Sequence, residues 1–319
     1  RKIKMSFIFY SILSSLVFFF SGIGLALLIT PKGLKKYALY FSPVIGYCYL
    51  TLAGWHISTF GQQIVFNKDG RIASVNSVSG LNFHGTDSYA FFLLLPPLIF
   101  LAAAILLRKK IDLGQLKASL KGFIVPFAIA FVCFLIFSVP LMSYKEPMTT
   151  ISIGNHDIID CGLKSRFLKE FSLSDTTGYL SHLTDGHSSL KHDVITSRFG
   201  APFAAAYLAS LFSLEAYQFQ SLISHIFFMF GVLLFYALAR EIFKYGEFPS
   251  AAVAALYGLS PTLYYIAYQG FQPQMVAMAI VAGFFFLHFH AVNNVSTLRK
   301  YYPYIPLAAL LNWGMSITY

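Results

Sequence analysis

Apolar residues in this chain come in runs of about twenty, the length that spans a hydrocarbon core at the helical rise per residue. Eight such runs recur from end to end, at approximately 7–28, 38–60, 90–107, 122–142, 216–238, 248–269, 272–291 and 301–319. Each predicts a membrane-crossing helix, so the expected fold is all-α: a polytopic transmembrane helical protein.

The polar stretches between the runs are of two kinds. Short ones are basic: Lys32, Lys35 and Lys36 follow the first run, Arg108, Lys109, Lys110, Lys117 and Lys121 the third, Arg240 and Lys244 the fifth, and Arg299 with Lys300 precede the eighth. Basic residues concentrate in cytoplasmic turns, and threading the runs alternately puts all of these on one side. Glu241 and Glu247 dilute the turn after the fifth run, and Arg1, Lys2 and Lys4 fall on the opposite side. Segments 61–89 and 143–215 and the Gly270-Phe271 turn then face the periplasm or the exterior. Asn67-Lys68-Asp69-Gly70 marks segment 61–89 as a turn and a short irregular excursion. Segment 143–215 is far longer than a connection requires, and long loops of that kind are commonly functional.

Composition strengthens the membrane assignment. A chain of 319 residues that is 57% hydrophobic and 11% charged, with 34 Phe, cannot pack all that apolar surface inside a soluble globule. The formal charge of +10 is accounted for by the basic turns, so no nucleic-acid partner is expected. Of three cysteines, Cys48 and Cys133 lie within apolar runs and Cys161 in a polar segment, which implies no disulfide framework. The first run reads as a span rather than a cleavable leader, because it is long and lacks a small-residue cleavage pattern before Thr30-Pro31-Lys32. A start at Arg1 and an end within an apolar run set the expectation of a longer native chain.

Within segment 143–215, residues 162–171 put Leu163, Phe167, Leu168 and Phe171 on one helical face and Lys164, Arg166, Lys169 and Glu170 elsewhere, the pattern of an interfacial amphipathic helix. A second apolar helix, about 203–212, is too short to cross and is expected to lie against the outer face. Just before the first helix, Gly154-Asn155-His156-Asp157-Ile158-Ile159-Asp160 places two carboxylates three apart. On a helical turn Asp157 and Asp160 share a face and can work as a pair, one as base and the other orienting it. Helix capping by Asn155 or Asp157 is the plain alternative. His156, His182, His187 and His192, with Asp157, Asp160, Asp185 and Asp193, leave a divalent metal open, although the spacing matches no established ligand motif; solvated loop histidines are the simpler explanation.

These features together resemble the GT-C superfamily of membrane glycosyltransferases, related to protein O-mannosyltransferases and aminoarabinose transferases. The resemblance covers residues 139 to about 290. It rests on the Gly-Asn-His-Asp segment after a span, the amphipathic helices, Arg198-Phe199-Gly200-Ala201-Pro202, the span ending Tyr236-Ala237-Leu238-Ala239-Arg240-Glu241, and the alanine-rich 251–261 stretch closing on Ser260-Pro261. It implies a GT-C-like core at 122–319, with 1–121 as accessory amino-terminal helices, and an active site at the outer face of a bacterial inner membrane. There an aspartate removes the proton from a glycan, lipid or protein acceptor as it attacks a sugar carried on polyprenyl phosphate, with inversion. Asp157 matches the position of that base best. Many relatives carry an aromatic residue near Asp160 or Cys161, so Asp160 stays a second candidate.

His156 belongs to the same segment, and Arg198, Lys164 and Arg166 are candidates for contact with the donor phosphate. Gln269, Gln272 and Gln274, at the outer end of the sixth and seventh runs, are placed to bind sugar hydroxyls or simply to cap a tight turn. No cofactor is implied apart from the open metal question. A flippase or transporter of lipid-linked glycans is the competing function, although the runs hold almost no ionisable residues beyond His56, His225, His288 and His290. A non-catalytic scaffold for envelope assembly is the third.

Overall fold

The computed structural model describes residues 2–59, 62–66, 72–77, 85–107, 113–143, 157–171 and 198–318. Among them the architecture is a helical bundle with one small hairpin. Four helices are long and apolar enough to cross a membrane: the 7–29 part of α1 (Lys2–Ile29), the 120–143 part of α5 (Leu113–Ser143), residues 216–241 containing α8 (Phe219–Glu241), and α11 (Gln272–Asn294).

The other four apolar runs take different forms. α2 (Ala38–Thr59) has the length, but Tyr40, Tyr47, Tyr49, Ser42 and Thr51 dilute its hydropathy. The third run yields only the short helix α4 (Leu95–Leu106), which opens on Pro96-Pro97. The sixth divides into α9 (Glu247–Gly258) and α10 (Pro261–Tyr268), because Pro261 has no amide hydrogen to continue the ladder. The eighth is broken by Pro303 into a short turn of helix, α12 (Leu298–Tyr301), and α13 (Ile305–Thr318).

α8 is the hub. In its apolar window 94% of residues are buried, against 39% for α1 and 33% for α5, so the latter two form the bundle's outer wall. α1 and α2 cross closely at two glycines: a side chain on Gly22 would strike the backbone of Ser42 and Gly46, and one on Gly46 the backbone of Phe18. Such small-residue crossings let helix backbones approach without a hydrophobic driving force. α1 ends before Pro31, where the Lys35 ammonium donates to the carbonyls of Leu27 and Leu28, capping carbonyls that have no partner within the helix.

The 3-10 turn Lys32–Tyr37 gathers with the other basic turns at one end of the bundle. There the Glu241 carboxylate accepts from Lys36 (2.8 Å), Lys244 (3.1 Å) and the Tyr37 hydroxyl (3.2 Å). His290 Nε2 lies 3.7 Å from it, and its Nδ1 is 2.9 Å from the Tyr304 hydroxyl. The turns at Lys32–Tyr37 and 241–244 and the residues His290 and Tyr304 thus meet at one end of the bundle.

Three expectations are corrected. Segment 61–89 is not irregular throughout: β1 (Gln62–Phe66) and β2 (Ile72–Ser77) pair antiparallel, Gln62 opposite Ser77, with an irregularity between Val65 and Phe66, and α3 (Gly85–Tyr89) follows. The second short helix does not lie on an outer face. α7 (Gly200–Phe212) is buried from Gly200 to Ser210 between α2, α8, α13 and the helix that precedes it, because Ala201, Ala204, Ala205, Ala206 and Ala209 leave room for close neighbours. The helix before it, α6 (Asp157–Glu170), buries Ile158, Cys161, Lys164, Ser165, Phe167 and Leu168 and exposes Leu163, so its inner face is rotated from the expected one. Its partners are protein, α3, α7 and α8, rather than a flat lipid boundary.

Candidate functional site

α6 carries both candidate carboxylates, and its surroundings follow from its sequence. Asp157 is its first residue; its side chain, like His156 and the histidines at 182, 187 and 192, lies outside the described residues. Asp160 and Lys164 sit one turn apart and form an ion pair at 2.7 Å, in which the lysine side chain is 4% exposed and the aspartate 42%. Arg166 pairs with Glu170 at 3.1 Å, one turn further on. The carboxyl end of α6 is pinned by α3: Gly85 packs on the Lys169 backbone, and Lys169 reaches Asp87 at 3.0 Å.

The inner face of α6 is polar as well as apolar. Ser165 donates to the Cys161 carbonyl (2.6 Å), and the Gln220 amide donates to that carbonyl (3.2 Å) and to the Ser165 hydroxyl (2.5 Å). Gln220 is fully buried near the start of α8, yet its Oε1 has no hydrogen-bond partner among the described residues. One turn later His225, also buried, directs Nδ1 to the Ser221 carbonyl (2.6 Å); Phe7, Phe137 and Tyr268 surround the ring, and Nε2 is unpartnered among the described residues.

The amino end of α6 meets the turn between α10 and α11. Gly270 takes a left-handed conformation there, φ 80°, and a Cβ on it would lie 2.9 Å from Cβ of Ile158, the residue after Asp157. Two residues further, Gln272 opens α11 with 0% exposure and neither Oε1 nor Nε2 hydrogen-bonded among the described residues; Gln274 Oε1 is likewise open. An unpaired buried amide is expensive, on the order of 1–3 kcal/mol for each group left unsatisfied, and such groups in a native fold call for a missing partner. A bound group with both donors and acceptors, such as a hydroxyl, fits that need.

The structure therefore brings Asp160 and Lys164 into direct contact and packs the Gly270 turn, which leads into Gln272, against Ile158 of α6. Arg198 lies on the chain entering α7, with φ 57° and with Phe199 edge-on to Trp55 of α2. Sequence reasoning missed Gln220, one of two glutamines, with Gln218, that open an otherwise apolar run, and noted His225 only as a histidine within a run. Among the described residues no group of three His, Cys, Asp or Glu could hold a metal ion; the loop histidines lie outside them.

Fold and site together define a helical protein with four helices long and apolar enough to cross a membrane and buried polar side chains at the contact of α6 with α8 and at the start of α11. Comparison with protein-family models, with curated proteins and with solved structures finds no match.

Proposed function

We propose that this chain is a multi-pass membrane glycosyltransferase of GT-C type, moving a sugar from a polyprenyl-phosphate donor to a glycan, lipid or protein acceptor during cell-envelope assembly. The observation that carries the reading is the apposition of α6, which begins at Asp157, with the turn leading into the buried amide of Gln272, unpaired among the described residues. The basic end faces the cytoplasm by the distribution of Lys and Arg, which turns the α6 end to the outer side of a bacterial inner membrane.

In this scheme the acceptor's oxygen or nitrogen lone pair forms the new bond to the anomeric carbon. The bond from that carbon to the phosphate oxygen breaks, its electrons leave on the phosphate, and the carbon inverts. Asp157 takes the acceptor proton. Asp160 is the weaker candidate for base, because its carboxylate is engaged by Lys164, and that engagement also removes Lys164 from the phosphate. Arg166 is likewise engaged, by Glu170, and Arg198 is kept as a phosphate contact because a guanidinium suits bidentate phosphate binding. Gln272 orients the sugar by its hydroxyls, and the site's main task is positioning, since phosphate is already an adequate leaving group.

The test is transfer of labelled sugar from a series of polyprenyl-phosphate donors by the purified protein. Asp157→Asn keeps a residue that caps a helix as well as Asp does, so folding should persist while transfer falls about 10²–10⁴-fold. Asp160→Asn should lose less than about tenfold by the same measure. Loss in Asp160→Asn alone would move the base to that residue, and no transfer with any donor by the folded protein would favour the flippase or scaffold.

A further inference from the structure

A second site lies at the basic end, away from the cluster around α6. The last turn of α1 (Leu27, Leu28, Ile29), the turn Thr30 to Lys35, Leu107 after α4, and the segment from Lys300 to Pro306 enclose a cavity of about 570 Å³. That is within the span of roughly 300–1,000 Å³ usual for small-ligand sites.

Its lining holds three cations, Lys32, Lys35 and Lys300, and no carboxylate. Glu241, which lies beside Tyr304 through His290, is already taken by Lys36 and Lys244. Lys32 and Lys300 are exposed and form no ion pair among the described residues. Lys35 spends donors on the carbonyls of Leu27 and Leu28, and burial holds its ammonium below the ordinary lysine value, a shift that a nearby anion opposes. Tyr304 also lines the cavity, and its hydroxyl is held by His290.

The remaining wall is apolar: Leu27, Leu28, Ile29, Leu107, Pro303 and Pro306. The membrane-length part of α1 ends at Ile29, which puts the cavity at the depth where headgroups begin. A free anion has no use for such a wall, whereas an acyl-bearing one does. Basic pockets between helices on the cytoplasmic side are the known form of anionic headgroup sites. We infer that the cavity lined by Lys32, Lys35 and Lys300 binds the phosphodiester headgroup of an anionic glycerophospholipid, with its acyl chains leaving along α1 and α4.

The test uses the full chain in nanodiscs and in detergent, with phosphatidylglycerol and phosphatidylcholine as probes and retained lipid counted by native mass spectrometry. Wild type should retain phosphatidylglycerol in preference to phosphatidylcholine. Lys32→Ala with Lys300→Ala should lower phosphatidylglycerol affinity by at least about fivefold, from the contribution of a lysine near an anionic surface. Lys32→Arg with Lys300→Arg should restore it, which separates lost charge from a misfolded protein. Arg299→Ala, beside Lys300 in sequence but outside the cavity, should have no comparable effect. Equal retention of the two lipids, an unchanged affinity in the double alanine variant, or an equal loss in Arg299→Ala would each overturn the proposal. Displacement of the lipid by millimolar inorganic phosphate would reassign the site to a free anion and overturn it too.

Discussion

Gly270 shows how a single residue governs the geometry of the candidate site. Its φ of 80° is costly for any residue with a Cβ, and the space a Cβ would need is occupied by Ile158. Gly270→Ala is therefore expected to destabilise the protein by about 1–2 kcal/mol from backbone strain alone, read as a lower thermal midpoint in detergent. If transfer is measured, it should fall by more than the folded fraction does, because the same contact sets where α6 begins. At this scale the sequence was legible in part. Two acids at the start of a helix and a row of glutamines near the sixth and seventh runs could be read directly. The burial of Lys164 and the exposure of Leu163 could not, because they follow from α6 having protein on several sides, and a helical wheel assumes only one apolar side. Gln220 was hidden for a related reason: its importance lies in Ser165 and Cys161, which stand more than fifty residues away in sequence.

Among the elements, the closest packing is the crossing of α1 and α2. Gly22 and Gly46 stand at this contact, and a larger side chain on either meets the facing backbone. Gly22→Leu should separate the helices at a cost of roughly 2 kcal/mol or more, by the overpacking penalty of a filled interface. Size-exclusion profile and melting temperature in detergent would record it, and Gly122→Leu, where a side chain meets nothing within 4 Å, is the matched control. Run length predicted eight crossing helices, and four of the runs form helices long and apolar enough to cross a membrane. It failed where a run held an internal break, as at Ser260-Pro261, and the reading of short helices failed where one was enclosed by others. α7 is the clearest instance: its alanines suit a helix enclosed by others as well as one resting on a surface, and periodicity does not distinguish the two.

For the whole molecule, the division at residue 121 expected from the resemblance falls within α5, and the two sides of it are packed together. Phe18 meets Phe227, Phe7 meets His225, Trp55 meets Phe199, and the Tyr47 hydroxyl bonds Thr318 at 2.7 Å. Residues 122–319 expressed alone should accordingly give aggregated or poorly dispersed protein, and co-expression of 1–121 should recover a monodisperse complex; a stable, well-dispersed 122–319 would show the first helices to be dispensable. The chain has two tryptophans, and both stand in one neighbourhood. Trp55 lies against Phe199, next to Arg198, while Trp313 stacks on His56, the residue after Trp55. Intrinsic fluorescence is consequently a local gauge in a protein of this size: a ligand that engages Arg198 has an emission change to announce it without any label, while events at the lysine cavity remain dark.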